Sequence, residues 1–510
     1  MFKIRTTLLS AVLLVTLAVS SAAGRSIEGQ VKQLIQNNNL GQTTYAVLIV
    51  DLQTGASLAQ INADLPMIPA SNMKLITSAA ALDMLERDFK FQTQLRLIGP
   101  EHWQRQGLEL NRELQRPVDT ALLIKGDGDP VLGDPDLLKQ HQLDVEDLLA
   151  KWVAAVKAAG IEQVDRLLVD DRVFDRQLVH PTWPQDQLRY HYCAPVAGLN
   201  FHANVLHVWA RPTRIGESPR VQLRPAAPFI ETSNRALTDR SDTFWVDRPS
   251  GSSRLIFWGK IANRRPTPLP VTLHEPSRFC ADLLKDRLVK AGVSVGAVER
   301  VGDGERVPAG DLLYTVQTTL FEVIRRCNSE SKNLCAEALI KRLGRRFTGA
   351  PGSWNNGASA VRHFLQQRLG TTAAMVAIAD GSGLSRENRV TARIMVQMLR
   401  SMHEDPQIGL DFRESLSISG LRGTLKNRFG APFKNRVLGK TGYIDGVSTL
   451  SGYMFLTSDS DDGNDPKRTI AFSLLFNNIK HPVRIRDVKD VQDRIIGLVD
   501  QSYRRVARAK

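Results

Sequence analysis

The pattern of apolar and polar positions divides the chain into two mostly helical parts and a β-rich middle. Residues 26–36 have the spacing of a helix, and residues 44–51 form an apolar run typical of a buried strand. A turn connects that run to a second short strand around residues 56–59, which predicts a hairpin. An alanine-rich apolar segment follows Pro69. Because proline is excluded from helix interiors, a helix is predicted to begin at or just after Ala70.

From about residue 91 to about residue 272 the pattern changes to short β-like runs separated by loops rich in proline and charge. This block interrupts the helical pattern and predicts an inserted, β-rich region. Helical segments resume at residues 279–291 and continue through residues 312–343, with a polar break at residues 328–333. Near the end, a hairpin of two strands and their connecting loop is predicted at residues 447–456, 469–476 and 459–466.

Composition and charge narrow the classes of protein that this pattern allows. With 510 residues, 42% hydrophobic and 24% charged, the chain is an ordinary folded protein long enough for several domains. The net charge of +14 favours attraction to anionic surfaces. No basic–aromatic motif points to nucleic acid, so we expect no such partner. The basic tail at residues 504–510 predicts at most a peripheral contact with a membrane.

The first residues have the pattern of an export signal. Lys3 and Arg5 precede an apolar run at residues 8–19, and small residues follow at positions 21–23. This arrangement predicts a signal peptide over residues 1–23, because the apolar run is too short to span a membrane. No cysteine follows the run, so lipid attachment is not expected. The sequence therefore predicts an exported protein.

The chain contains four cysteines, Cys193, Cys280, Cys327 and Cys335. An oxidising compartment permits disulfides, and four cysteines allow three pairings, which stay open at this point. Cys327 and Cys335 can pair only if the chain turns between them. The sequence has no Cys-x-x-Cys and no His-Glu-x-x-His, so we expect neither a metal nor another cofactor.

Ser71 and Lys74 stand at the start of the alanine-rich helix, three positions apart on one face. The remainder of that helix has few polar residues and is expected to be buried. Burial disfavours a charged ammonium, and a hydroxyl beside a neutral amine is an activated nucleophile. The alternative is that Ser71 caps the helix, since Ser-x-x-Lys also arises by chance, as it does at Ser329 to Lys332.

Two later stretches carry further candidate chemistry. The sequence Ser-Lys-Asn at residues 331–333 lies in the polar break, which predicts either a loop aiming side chains into a cleft or a simple connection between helices. The sequence Lys-Thr-Gly-Tyr at residues 440–443 comes just before the last predicted hairpin. A Lys-Thr-Gly match is expected by chance only about one time in ten in a chain of this size.

Two acidic stretches in the inserted region are less specific. Asp170 follows the apolar strand at residues 167–169, so a carboxylate is presented at the end of a strand. It is either a turn former or a contact for an amine of a ligand. The run Gly-Asp-Gly-Asp-Pro at residues 126–130 lacks the lysine and the following helix of a phosphate loop, so a tight turn is predicted there.

The order of the motifs resembles that of the penicillin-recognising serine enzymes, with Ser-x-x-Lys at Ser71, Ser-x-Asn at Ser331 and Lys-Thr-Gly at Lys440. The long insertion after the first motif resembles the penicillin-binding protein 4 type of D-alanyl-D-alanine carboxypeptidase, the S13 peptidases or class C low-molecular-mass penicillin-binding proteins. Asp-Gly-Ser-Gly-Leu-Ser-Arg at residues 380–386 matches that family's signature, and residues 420–425 resemble its next segment.

The resemblance implies an α/β (α+β) fold. We expect a β-lactamase/transpeptidase-like domain, with an antiparallel sheet flanked by helices, interrupted by two inserted smaller β-rich domains. Residues 24–90 are expected to form its first part and residues 273–510 its second part. Residues 91–272 are expected to form the inserted region, with one small domain nested in the other.

The resemblance also implies a function, a serine D,D-peptidase of the periplasm. Its substrates are peptidoglycan stem peptides and muropeptides, from which it removes the terminal D-Ala and in which it also cuts D-Ala–diaminopimelate cross-links. Ser71 is then the nucleophile, Lys74 the base and Ser331 the proton relay, and β-lactams are covalent inhibitors. The oligomeric state stays open, a homodimer included. The implied substrate-binding residues are Asn333, Lys440, Thr441, Gly442 and Tyr443, with Asp170 as a contact for the substrate's amine.

The chain departs from the family pattern at two positions, and two other functions compete with the one implied. Lys332 stands where a small or acidic residue is usual, and Tyr443 where a small hydroxyl residue is usual, so Tyr443 is expected to narrow the cleft. A β-lactamase would share the three motifs, but the long insertion and the missing deacylation-glutamate motif argue against it. A non-catalytic peptidoglycan-binding protein is the other alternative.

Overall fold

The computed structural model describes residues 26–105, 120–370, 376–456 and 468–508. The predicted signal peptide at residues 1–23 and the predicted loop at residues 459–466 lie outside these ranges. Within them, no helix combines the length and the apolar character needed to cross a membrane.

The helices of the described residues include those that were expected around residues 26–36, 73–82 and 279–291. Their bounds in chain order are α1 (Ile27–Asn37), α2 (Met73–Leu85), α3 (Pro100–Arg105), α4 (Pro135–Gln140), α5 (Val145–Ala158), α6 (Pro276–Lys290), α7 (Leu320–Asn328), α8 (Asn333–Thr348), α9 (Trp354–Leu369), α10 (Ala392–Glu404), α11 (Gly409–Glu414) and α12 (Ile485–Arg508).

The strands are numbered in the same way. They are β1 (Thr44–Asp51), β2 (Ser57–Ile61), β3 (Lys90–Ile98), β4 (Ala121–Lys125), β5 (Gln163–Asp170), β6 (Val205–Arg211), β7 (Arg220–Arg224), β8 (Thr232–Asn234), β9 (Leu237–Thr238), β10 (Trp245–Asp247), β11 (Leu255–Trp258), β12 (Lys260–Ile261), β13 (Leu269–Thr272), β14 (Ser294–Arg300), β15 (Asp311–Thr319), β16 (Ser417–Ile418), β17 (Val437–Ile444), β18 (Val447–Leu456) and β19 (Arg468–Asn477).

The main sheet has six antiparallel strands in the order β16-β17-β18-β19-β1-β2. Its two faces are both covered, as the apolar pattern of its strands requires. Along β1, Ala46 and Leu48 face a core shared with α2, α8 and α10, while Val47 and Ile49 face a core shared with α1 and α12. The sheet therefore brings the first and last parts of the chain together, with helices on either side.

A second, five-stranded sheet has the order β14-β5-β4-β3-β15, and α5 and α6 pack against it. Smaller sheets follow in the β-rich stretch, in the orders β13-β6-β7, β10-β11-β8 and β12-β9. The expected fold class, a mixed α/β fold with antiparallel sheets flanked by helices, is confirmed. The five-stranded sheet takes strands from both sides of residue 272, and the boundaries of the inserted region stay a prediction.

Two expectations about local structure are corrected. The segment 312–319, expected to be helical, belongs to strand β15, which pairs with β3. Its β-branched and aromatic residues favour a strand once a partner strand is available. The region 91–272 also contains a 14-residue helix, α5, which starts with a capping box at Asp144.

The four cysteines form no disulfide, although export would permit one. Each of them is buried as a free thiol. The chain does turn between Cys327 and Cys335, at the junction of α7 and α8, yet the two are not bonded to each other.

Candidate active site

Ser71 lies in a single 3₁₀ turn, Ala70–Asn72, that leads directly into α2. Ala70 adopts a left-handed conformation with φ 45°, which lets the chain turn sharply before the serine. The turn is bonded to the main sheet, because Asn72 Nδ2 donates to the carbonyl of Lys440 (2.8 Å) and Thr449 Oγ1 donates to the carbonyl of Pro69 (2.8 Å). The sheet thereby fixes the position of the hydroxyl of Ser71.

Lys74 is fully buried on the first turn of α2, with its amine directed at Ser71. Its Nζ lies 2.9 Å from Ser71 Oγ, 2.7 Å from Asn333 Oδ1 and 2.9 Å from the carbonyl oxygen of Ser382. Burial lowers the pKa of Lys74, and nearby acidic groups, among them Glu337, oppose that shift only in part. The amine is therefore biased toward the neutral form, next to a hydroxyl that can lose a proton to it.

Ser331 and Asn333 come from the connection between α7 and α8. Ser331 has φ 62°, a left-handed conformation that is costly for any residue other than glycine. Its Oγ accepts a hydrogen bond from Lys440 Nζ at 2.8 Å. Asn333 is the first residue of α8, and its Nδ2 donates to the carbonyl of Tyr192 at 2.8 Å. The predicted break in the helix therefore delivers both side chains to the neighbourhood of Ser71.

Lys440 lies on β17, next to the turn that holds Ser71. It is completely buried, and burial together with repulsion from Lys74 holds the pKa of Lys440 well below its usual range. The hydroxyl of Thr441 donates to Thr424 Oγ1 at 2.9 Å.

Gly442 permits a close approach between β17 and the serine turn. A Cβ at this position would lie 2.1 Å from Thr449 Oγ1 and 3.0 Å from the backbone nitrogen of Ser71. Beyond the short pairing of β16 with residues 438–439, no strand in the described part of the chain borders the outer edge of β17. That free edge therefore runs past Ser71.

A cavity of about 700 Å³ opens at these groups. Ser71, Ser331, Asn333 and Tyr443 line it, whereas Lys74 and Lys440 lie buried behind the two serines. Tyr443 lines this cavity and is more than half exposed, at 58%. Leu384 and Arg386 of the 380–386 segment form a further wall. Another wall comes from the β-rich region, through residues that sequence reasoning did not single out: Thr182, Pro184, Gln187 and Tyr192.

A buried carboxylate on α8 holds the 380–386 segment next to Lys74. Glu337, one helical turn after Asn333, accepts hydrogen bonds from the backbone nitrogens of Gly381 (3.0 Å) and Ser382 (2.8 Å) and from Trp354 Nε1 (2.7 Å). Burial and the nearby Asp380 raise the pKa of Glu337 to about 7. The segment 380–386 was recognised from sequence, but the contact that gives it a role, the carbonyl of Ser382 on Lys74, depends on the tertiary fold.

Asp170 and Lys332 are placed differently from the other predicted residues. Asp170 does not line the cavity at Ser71; it lies at the end of β5 in a separate cavity and is bonded to Arg172 at 2.8 and 2.9 Å. The geometry therefore gives it no contact with a substrate held at Ser71. Lys332 points away from the site and pairs with Asp136 of α4 at 2.5 Å. The lysine of the Ser-x-x-Lys match at Ser329 to Lys332 is therefore engaged with a carboxylate.

The assembled groups are equipped for acyl transfer through a serine ester. They include a hydroxyl nucleophile, a buried amine that can accept its proton, and a second serine–lysine pair on the other side of the cavity. This fold and site define a class of protein in which a candidate serine nucleophile stands in the turn before a helix, beside the edge of an antiparallel sheet.

Comparison with known proteins identifies the family. The profile of the D-Ala-D-Ala carboxypeptidase 3 (S13) family matches residues 27–501, so the chain belongs to this family. A D-alanyl-D-alanine carboxypeptidase of Actinomadura sp. (strain R39) is 31% identical over 501 residues, which cover 94% of this chain and 86% of the relative. D-alanyl-D-alanine carboxypeptidase DacB of Haemophilus influenzae is 24% identical over 467 residues, covering 88% and 89% of the two chains.

Solved structures agree on the fold. The crystal structure of penicillin-binding protein 4 (dacB) from Haemophilus influenzae matches with a TM-score of 0.73 at 22% identity, over 92% of this chain and 99% of that one. A structure of the same protein complexed with a β-lactam matches with a TM-score of 0.69 at 21% identity, over the same shares of the two chains. At this level of identity the likeness concerns the architecture.

Proposed function

We propose that the protein is a serine D,D-peptidase of the bacterial envelope that releases the terminal D-Ala from peptidoglycan stem peptides through an ester on Ser71. The observation that carries the proposal is the distance of 2.9 Å between Lys74 Nζ and Ser71 Oγ, with the amine fully buried. Membership of the D-Ala-D-Ala carboxypeptidase family supplies the substrate class.

Acylation begins when the neutral amine of Lys74 takes the proton of Ser71. The Ser71 oxygen attacks the carbonyl carbon of the penultimate D-Ala, and the bond from that carbon to the nitrogen of the terminal D-Ala breaks. Ser331 gives its hydroxyl proton to the departing nitrogen and takes in its place the proton that Lys74 received from Ser71, so Lys74 is neutral again. The adjacent amine of Lys440 orients the Ser331 hydroxyl from 2.8 Å. The products of this half-reaction are free D-Ala and the acyl ester on Ser71.

The tetrahedral intermediate carries a negative oxygen that needs preorganised donors. The backbone N–H groups of Ser71 and Tyr443 are the proposed pair, supported by the close approach of β17 to the serine turn at Gly442. The free edge of β17 offers backbone groups to an extended peptide. Asn333 holds the acyl side of the substrate, and the hydroxyl of Thr441 and the charge of Lys440 favour the terminal carboxylate.

Water then attacks the ester and regenerates Ser71, with Lys74 again exchanging the proton. The same groups act on a D-Ala–diaminopimelate cross-link, because that bond also joins D-Ala to a nitrogen on a D-centre. A β-lactam presents a strained amide to Ser71 and leaves a long-lived ester. The predicted signal peptide supports action in the periplasm, and the net charge of +14 supports loose attachment to the anionic envelope.

The decisive test is fluorescent-penicillin labelling of the purified protein beside its Ser71→Ala variant, followed by a D-Ala release assay on a stem pentapeptide. We expect a covalent label on the first protein alone, and D-Ala release by the first alone. Absence of label from both, with circular dichroism showing both folded, would favour a non-catalytic wall-binding protein. Rapid turnover of a chromogenic cephalosporin without D-Ala release would favour a β-lactamase instead.

A further inference from the structure

A second cavity, of about 840 Å³, lies between the ends of β3, β4 and β5 and helix α8. It shares no lining residue with the cavity at Ser71. We call it the basic cavity, because five cationic side chains line it against two acidic ones. The cations are Lys90, Lys125, Arg172, Arg342 and Arg345, and the acids are Asp127 and Asp170.

Both acids already have a cationic partner inside the cavity. Asp170 accepts hydrogen bonds from Arg172 Nε (2.8 Å) and Nη2 (2.9 Å). Asp127 Oδ1 lies 3.2 Å from Arg342 Nη2. These pairs neutralise two of the five cations. The acids make their closest contacts with these two arginines, and five cations against two acids leave the cavity with an excess of positive charge.

The other three cations, Lys90, Lys125 and Arg345, make no ion pair with any carboxylate of the described residues. Lys90 and Lys125 lie on β3 and β4, and both side chains are exposed toward solvent. Arg345, one turn after Arg342 on α8, donates to the backbone carbonyl of Gly349, which is a neutral acceptor. The three cations therefore line the same cavity from two elements of structure, the five-stranded sheet and helix α8.

Neutral groups in the cavity also favour an anionic ligand. Lys90, Gln92 and Gln94 alternate along β3, so their side chains share one face of the sheet and place two carboxamides beside the ammonium. On the opposite wall, the guanidinium of Arg342 lies 5.0 Å from the ring centre of Phe89. Its Nε is buried and has no hydrogen-bond partner within the described residues.

We propose that the basic cavity binds a ligand carrying two or more carboxylate or phosphate groups. A concave wall concentrates the field of its cations, and charge-assisted hydrogen bonds from lysine and arginine are the strong contacts that such anions make. A ligand with two anionic groups can engage both the lysines of β3 and β4 and the arginine of α8. This inference does not depend on the chemistry proposed for Ser71.

The test is calorimetric titration of the intact protein at low salt with two probes, citrate and inorganic pyrophosphate. The variant Lys90→Gln/Lys125→Gln removes two unpaired cations of the cavity. The matched control is Lys151→Gln/Lys157→Gln, which removes two exposed lysines of α5 outside the cavity. We expect saturable binding of at least one probe, weakened about tenfold or more in the cavity variant and unchanged in the control.

Equal weakening in both double variants would show a response to net charge and would overturn the proposal, as would absence of saturable binding by the unmodified protein. Labelling of Ser71 by fluorescent penicillin is expected to stay unchanged in the cavity variant. Because that readout is separate, failure of the basic cavity and failure of the peptidase proposal are distinguishable.

Competition then identifies the source of the anion. Phosphate-free muropeptides that displace the bound probe would assign the site to carboxylates of the wall peptides. Displacement by vesicles of equal parts phosphatidylglycerol and phosphatidylcholine, and not by pure phosphatidylcholine, would assign it to phosphates of lipid headgroups. Either result supports the site. If neither the muropeptides nor the vesicles displaced the probe, wall peptides and lipid headgroups would both be ruled out as its ligand.

Discussion

Lys440 and Ser331 meet behind the wall of the cavity with 2.8 Å between Nζ and Oγ, although three long helices of the chain separate them in sequence. The lysine is completely buried on a sheet strand, and the serine is held in a left-handed conformation between two helices. The strained backbone of Ser331 therefore serves a contact that only the assembled fold can make. The hydroxyl of Ser331 is thus expected to matter for activity, whereas its left-handed backbone lowers stability, and the two effects can be measured separately.

Replacing Ser331 by glycine is expected to remove activity while relieving backbone strain. At φ 62°, a side chain costs on the order of 1 kcal/mol relative to glycine. We therefore expect Ser331→Gly to lose D-Ala release by about 100-fold or more, yet to unfold in urea at a denaturant concentration no lower than that of Ser331→Ala. Retention of D-Ala release by either variant would contradict the proton-relay role.

Lys74→Arg is expected to abolish acylation while keeping a positive charge at the site. A guanidinium stays protonated at any working pH, so it cannot take the proton of Ser71. We expect the rate of fluorescent-penicillin labelling to fall by about 100-fold or more. Because the larger side chain must fit a fully buried position, circular dichroism and thermal unfolding of the variant form the control. A labelling rate close to that of the unmodified protein would sink Lys74 as the base.

The dependence of labelling on pH follows from the same group. Only neutral Lys74 accepts a proton, so labelling rises with pH through the pKa of Lys74, which burial places below that of an ordinary lysine. The Glu337 carboxylate favours the charged amine and raises that pKa. Glu337→Gln removes the carboxylate's charge, so above pH about 7, where Glu337 is ionised, the labelling profile is expected to move to lower pH.

Glu337→Gln is also expected to destabilise the fold. If Glu337 had only a structural role, this loss of stability would occur without any shift in the pH dependence of labelling. Three N–H donors converge on the carboxylate, and an amide presents its own N–H₂ to at least one of them. The loss is about 1–3 kcal/mol in the free energy of unfolding. Glu330→Gln, which removes a carboxylate near Arg325 and Arg326, is the matched control and should leave the labelling profile in place.

Sequence reasoning reached the parts of the site that depend on local spacing. Ser71 and Lys74 were paired because they lie three positions apart on a helix, and the structure brings them into contact. Glu337 was not singled out, because its role depends on the 380–386 segment packing against α8. Asp170 was singled out for its place at a strand end, but the sheet directs that end into a different cavity.

The fold shows the same limit. Strand β1 was bounded correctly because a buried strand reads as a continuous apolar run. The sequence predicts a helix over residues 312–319, whereas pairing with β3 makes them a strand. Their β-branched and aromatic residues favour a strand only weakly, because β propensity depends on the partner strand that the fold supplies.

The ion pair of Lys332 with Asp136 explains one departure from the family pattern, since it ties the Ser331 loop to α4. Both side chains are partly exposed, so Lys332→Met is expected to lower the free energy of unfolding by only about 0.2–1 kcal/mol. The difference should shrink at high salt, where such pairs are screened. Lys139→Met on α4 is the control, measured by urea unfolding at both salt concentrations. A loss that is large and independent of salt would contradict the ion-pair explanation.

Gly442→Ala is expected to disturb the site through backbone geometry alone. A methyl group there would lie 2.1 Å from Thr449 Oγ1 and 3.0 Å from both the carbonyl oxygen of Pro69 and the backbone nitrogen of Ser71, so β17 and the serine turn must move apart. Such overpacking costs about 1–3 kcal/mol in stability. We expect a lower unfolding temperature and, because the nucleophile shifts, a drop in labelling of about tenfold or more.

Gly497→Ala on α12 provides the opposite outcome with the same chemical change. Nothing lies within 4 Å of a Cβ at that position, and alanine is favoured over glycine inside a helix by about 1 kcal/mol. We therefore expect the unfolding temperature to rise and labelling to stay unchanged. If Gly442→Ala labelled as fast as Gly497→Ala, the close approach of β17 to Ser71 would not be what positions the nucleophile, and the donors proposed for the oxyanion would have to be sought elsewhere.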